Sequence, residues 1–84
     1  MGRRRVDEEM QLFNDTVGRR IMLLRKMRRM SAVDLAAAVG IKSSRLYWYE
    51  SGRTSCPALI LSKIAKHLHV PVTYLMVETY AKNE

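Results

Sequence analysis

The chain has 84 residues, 48% hydrophobic and 27% charged, which suits one small folded domain able to bury only about 60–65% of its unfolded surface. Its longest nearly uninterrupted apolar run, residues 35–41, is far short of the roughly 20 needed to span a bilayer, and a lone Cys56 rules out an internal disulfide or a structural zinc site. Fifteen Lys and Arg against eight Asp and Glu give a charge of +7 and a pI near 10.1, which points to a polyanionic partner, nucleic acid before an anionic membrane surface, with plain solubility as the bland alternative.

In chain order, Arg3, Arg4 and Arg5 are followed by Asp7, Glu8 and Glu9 rather than by an apolar region, so no secretory leader is expected. Residues 1–14 read as a basic N-terminal arm or a helix extension. Met10, Phe13, Val17, Ile21, Leu24 and Met27 recur every three or four residues and predict a helix over residues 16–29, extendable back to Asp7. Gly18 and the pair Asn14–Asp15 favour a break near residue 15. Ser31 with Asp34 resembles a capping box and opens a short second helix, with Leu35, Ala36 and Val39 inward and Gly40 as its stop. A third helix spans residues 43–51, closed by Gly52. Ser55 and Pro57 start a fourth with Ala58, Leu61, Ile64, Ala65 and Leu68 inward, residues 69–71 break it, and a fifth runs from Val72 to about Tyr80. No segment alternates as a strand does. The expected fold is an all-α domain of five helices over residues 15–80, with residues 81–84 as a tail.

Two consecutive short helices joined by a glycine turn form a helix-turn-helix candidate. A helix about 10–12 Å across fits a major groove roughly 12 Å wide when a second helix braces it. The run Ala36-Ala37-Ala38 permits a close crossing.

The residues Val17-Gly18-Arg19-Arg20-Ile21, Leu24-Arg25, Ser31, Leu35-Ala36, Val39-Gly40-Ile41, Leu46 and Tyr49-Glu50-Ser51-Gly52 closely resemble the lambda-repressor-like (phage repressor type, XRE-like) helix-turn-helix family, and residues 63–75 match its fourth and fifth helices. The resemblance implies that the third helix enters the major groove with Ser43, Ser44, Tyr47 and Trp48 toward base edges. It places Lys42 and Arg45 beside them and Arg53 at a phosphate-gripping position, and it implies a structural ion pair between Arg25 and Glu50. Arg28 and Arg29, ending the first helix, are further phosphate candidates, although the helix dipole alone favours bases there. Arg3 and Arg5 resemble the DNA-wrapping arm of some phage repressors; the alternative is a disordered tail. Leu46, Leu35 and Ile41 read as core, Tyr49 as a core-edge aromatic, and Trp48 as either a reader or a rim packing residue. His69 sits where the family commonly has glycine and is expected in a left-handed cap.

Some positions depart from the family. Ala32 replaces a common glutamine, and the reading helix lacks the Gln or Asn that pairs with adenine, offering serines and Tyr47-Trp48-Tyr49 instead. Readout that is relaxed or dependent on DNA shape follows; alternatively those aromatics face a protein. Catalysis finds little support: His67 and His69 lie two apart, Cys56 has no nearby His in sequence, and no phosphate-cradling loop exists. No metal or cofactor is expected. The resulting expectation is a cytoplasmic, non-enzymatic transcriptional regulator of prokaryotic or phage type that occupies a promoter-proximal operator on double-stranded DNA as a homodimer. RNA polymerase or another regulator is a further partner, and no membrane is involved. Alternatives are a restriction–modification controller-type regulator and a protein-interaction adaptor that has lost DNA reading. Leu59, Ile60, Tyr74, Val77 and Tyr80 are the expected dimer contacts.

Overall fold

The apolar stripe along the first third of the chain winds into one long helix, α1 (Gly2–Met27). In the computed structural model, which describes the backbone of residues 2–76 and the side chains of residues 7–76, four short helices follow: α2 (Ala32–Val39), α3 (Ser43–Glu50), α4 (Ala58–His67) and α5 (Val72–Met76). The fold is the expected all-α one, with no strand among the described residues. Val77, Tyr80 and the tail 81–84 lie outside the described residues, as do the side chains of Arg3 and Arg5.

The expected break near residue 15 is absent, and the residues that suggested it have other work. Asn14 accepts a hydrogen bond from Ser55 Oγ (3.0 Å), Asp15 accepts one from Gln11 Nε2 (2.9 Å), and Gln11 also donates to the Gly52 carbonyl (3.1 Å). These polar side chains tie α1 to the α3–α4 loop instead of turning the chain. Gly18 is a packing residue: a β-carbon there would overlap the carbonyls of Tyr49 and Glu50 at the end of α3.

One core joins the helices. Val17 and Ile21 of α1, Leu35, Ala36 and Val39 of α2, Leu46 of α3, Leu61, Ile64 and Ala65 of α4, Leu68 just past it and Leu75 of α5 are all buried. α1 packs on α3 and α5, α2 on α3 and α4, and α4 on α5. The apolar stripe outruns this core at both ends, since Met10, Phe13 and Met27 are exposed. Of the alanine run only Ala36 is buried, while Ala37 and Ala38 face outward.

Four helix ends close by the same device. The pairs Arg29/Met30, Gly40/Ile41, Gly52/Arg53 and His69/Val70 each donate two backbone N–H groups back to the last turn, with the first residue of each pair at positive φ. Gly40 (φ 81°) and Gly52 (φ 77°) take that conformation without a β-carbon penalty, whereas Arg29 (φ 57°) and His69 (φ 61°) take it against theirs. At the start of α2, Ser31 Oγ accepts from the Asp34 N–H at 2.9 Å.

Candidate nucleic-acid interface

The helix period divides α3 into two faces. Leu46 and Tyr49 point into the protein, with Tyr49 only 2% exposed, while Ser43, Ser44, Tyr47 and Trp48 occupy the outer face at i, i+1, i+4 and i+5. Lys42, Arg45 and Arg53 are exposed around this face. Lys42 is the N-cap residue and makes no side-chain cap, so the first amides of α3 stay available at the positive end of the helix dipole, where anions are favoured. Tyr47 is 61% and Trp48 44% exposed, large values for aromatics on a helix that a fold of this size must otherwise bury.

Two contacts with α1 hold this face in position. Arg25 grips Glu50 through two hydrogen bonds, Nε to Oε2 at 2.7 Å and Nη2 to Oε1 at 3.0 Å, and its Nη1 donates to the Met30 carbonyl at 2.9 Å. Both side chains are largely buried, and the Glu50 hydrogen bonds raise the Arg25 guanidinium above its ordinary range despite the opposing effect of burial. At Gly18, two turns earlier on α1, the absent side chain lets the last carbonyls of α3 come into contact. The end of α3 is therefore fixed at two points while its beginning faces solvent.

The remaining basic candidates separate. Arg29 is exposed but spends its backbone in the left-handed closure of α1. Arg28 donates Nε to the Leu68 carbonyl at 2.8 Å and so caps the end of α4. That contact makes Arg28 a tie between two helix ends, with its side chain still exposed. Among the dimer candidates, Leu59 is 66% exposed on α4 and Ile60 packs partly against the core. Tyr74 lies on the α1 side, its ring 5.1 Å from the Arg20 guanidinium, with Arg20 Nη1 donating to its carbonyl at 3.4 Å. Local spacing gave no sign of the Arg28–Leu68 and Arg20–Tyr74 contacts, which join residues 40 and 54 positions apart.

The described residues contain no group of three His, Cys, Asp or Glu side chains that would hold a metal, and none of their helices is long and apolar enough to cross a membrane. Burial pushes the Cys56 thiol up to about 12, which keeps it protonated and poorly nucleophilic near neutral pH.

A family model described as a helix-turn-helix domain matches residues 16–75. Among solved structures, the clp gene regulator ClgR from Corynebacterium glutamicum superposes with a TM-score of 0.76 at 18% identity, covering 83% of this chain and 74% of that one, a likeness of fold. The master regulator for biofilm formation SinR, solved in complex with DNA, is 31% identical, with a TM-score of 0.68 and coverage of 73% of this chain and 98% of its own. A SinR–SinI complex is similar at 30% identity and a TM-score of 0.70, covering 79% of this chain and 65% of that one. No curated protein sequence shows significant similarity.

Proposed function

The chain belongs to the helix-turn-helix family, and from that premise we propose that it regulates transcription by binding double-stranded DNA as a homodimer at a promoter-proximal operator. The observation that carries this reading is the outer face of α3: Ser43, Ser44, Tyr47 and Trp48 stand in solvent on a helix whose far end is clamped by Arg25–Glu50 and seated on Gly18. Inserted in the major groove, the serine hydroxyls bond to base edges and the aromatics make apolar contact with thymine methyls. Lys42, Arg45, Arg53 and Arg29 neutralise phosphates, joined by Arg3 and Arg5 of the N-terminal segment. SinR, which has been solved on DNA, supports this assignment as a relative. Such a regulator works in the cytoplasm and is not an enzyme.

One helix-turn-helix reads few base pairs, so specificity calls for two copies on half-sites about 34–36 Å apart. The dimer surface we propose is centred on Leu59 and Ile60 of α4 and extended by Val77 and Tyr80. Tyr74, engaged by Arg20 on the α1 side, is left out of it. RNA polymerase or a second regulator would meet the complex from its exposed faces.

Retention of genomic fragments across a salt series, followed by sequencing of what is retained, tests the reading. With on the order of 6–10 phosphate contacts per dimer, affinity should fall about 10³–10⁵-fold between about 50 and 200 mM salt, and the retained fragments should share a palindromic sequence. An affinity flat across that range, with no shared sequence, would transfer the fold to the adaptor role.

A further inference from the structure

On the α1–α5 side of the protein lies an apolar groove of about 300 Å³ that the DNA-binding reading does not use. Leu23, Leu24 and Met27 of α1 and Tyr74 of α5 form its apolar lining, and Thr16, Arg19 and Arg20 complete it. Leu23 is 50%, Met27 76% and Tyr74 47% exposed, an unusual concentration of large apolar side chains on a surface of this size. The lining contains no acidic residue, and among the described residues neither Arg19 nor Arg20 has a carboxylate within 4 Å. Arg20 is already held in place by its contacts with the Tyr74 ring and carbonyl.

We propose that this groove docks an acidic amphipathic helix of a partner protein, and that it does so while α3 is on DNA. The groove lies open along α1, so a small molecule in it would leave much of its surface wet. Its α1 lining recurs at helical spacing from Thr16 to Met27, a length of about 16–18 Å, which fits roughly three turns of a second helix laid alongside. The apolar lining disfavours a phosphate backbone, while two guanidiniums with no carboxylate partner among the described residues favour carboxylates and disfavour a basic helix. α3 contacts α1 through Gly18 and Arg25, and at about 100° per residue Arg20, Leu23 and Met27 project roughly 140–180° around the helix from Gly18. Occupying the groove therefore leaves the outer face of α3 free. Only this last point rests on the DNA-binding reading.

Two designed helical peptides test the proposal against the full chain. Both carry Leu at i, i+4, i+7 and i+11; one is flanked by Glu and the other by Lys. The Glu peptide should bind at least about tenfold more tightly than the Lys peptide and shift amide resonances of residues 16–27 and 72–76. Arg20→Glu and Leu23→Asp should each weaken it about tenfold while leaving helix content and DNA affinity unchanged. Binding should persist on the DNA-bound protein if α3 is the reading helix. Equal binding of both peptides, or indifference to both substitutions, would overturn the proposal. So would peptide binding that appears only on removal of residues 77–84 or on dilution of a dimer, since the groove would then belong to the chain's own end or to a second copy. Loss of DNA binding by the parent protein with peptide binding intact would sink the function proposed above and leave this surface standing.

Discussion

Gly18 of α1 lies directly against the carbonyl of Tyr49, and a β-carbon at residue 18 would occupy the space of that oxygen. The contact sets the distance between α1 and the last turn of α3, so it links a stability determinant to the surface proposed to face DNA. Gly18→Ala should destabilise the fold by about 1–3 kcal/mol, because backbone must move to admit the methyl, and should weaken DNA binding beyond what the unfolded fraction explains. Urea denaturation and binding on the same samples check this. A variant with unchanged stability and affinity would mean that α3 shifts freely on α1.

The Arg25–Glu50 pair should behave as a largely buried ion pair. Glu50→Ala leaves the guanidinium without its carboxylate and should cost about 3–5 kcal/mol, whereas the double variant Arg25→Met, Glu50→Leu should recover much of that loss. Thermal denaturation of the single and double variants measures the coupling. Strictly additive losses would show that the two side chains act independently.

Two of the helix closures predict opposite signs for removing and for adding a β-carbon at positive φ. His69→Gly should raise stability by about 0.5–1 kcal/mol by relieving a left-handed histidine. Gly40→Ala, with open space around it but φ at 81°, should lower stability by about 1–2 kcal/mol. Equal effects at both positions in chemical denaturation would contradict the assignment of strain to residue 69.

How much of this was legible in the sequence depends on range. The inward Tyr49 fits its three-residue spacing from Leu46, whereas the positive φ of His69 is expected from the glycine that the resembling family commonly has there. The Arg25–Glu50 pairing came from family resemblance rather than from spacing. What misled was chemistry read locally: Asn14, Asp15 and Gly18 carry the signature of a helix break, yet their partners Ser55, Gln11 and the end of α3 reward a continuous helix. Arg29 gave no local sign of a left-handed closure because arginine rarely makes one, and a sequence of charges cannot distinguish Arg28 bound to Leu68 from Arg28 free for phosphate.

That last distinction gives a paired test. Arg53→Ala should weaken binding to every DNA sequence alike and lower the salt slope by about one. Arg28→Ala should leave the slope unchanged and instead cost about 1 kcal/mol of stability, with greater hydrogen exchange at the end of α4. A slope reduced by Arg28→Ala as much as by Arg53→Ala would return Arg28 to the phosphate-binding set.

The central claim is that the outer face of α3 reads base sequence, and selection from a randomised DNA pool tests it most directly. Parent, Ser44→Ala, Trp48→Ala and Arg53→Ala proteins are taken through the same selection at fixed salt. Ser44→Ala and Trp48→Ala should each change preference at particular base pairs, by about 1–3 kcal/mol, while Arg53→Ala keeps the parent's preference at lower affinity. If the selected sequences are the same for all four proteins, α3 is not the reader and the interface described here is wrong.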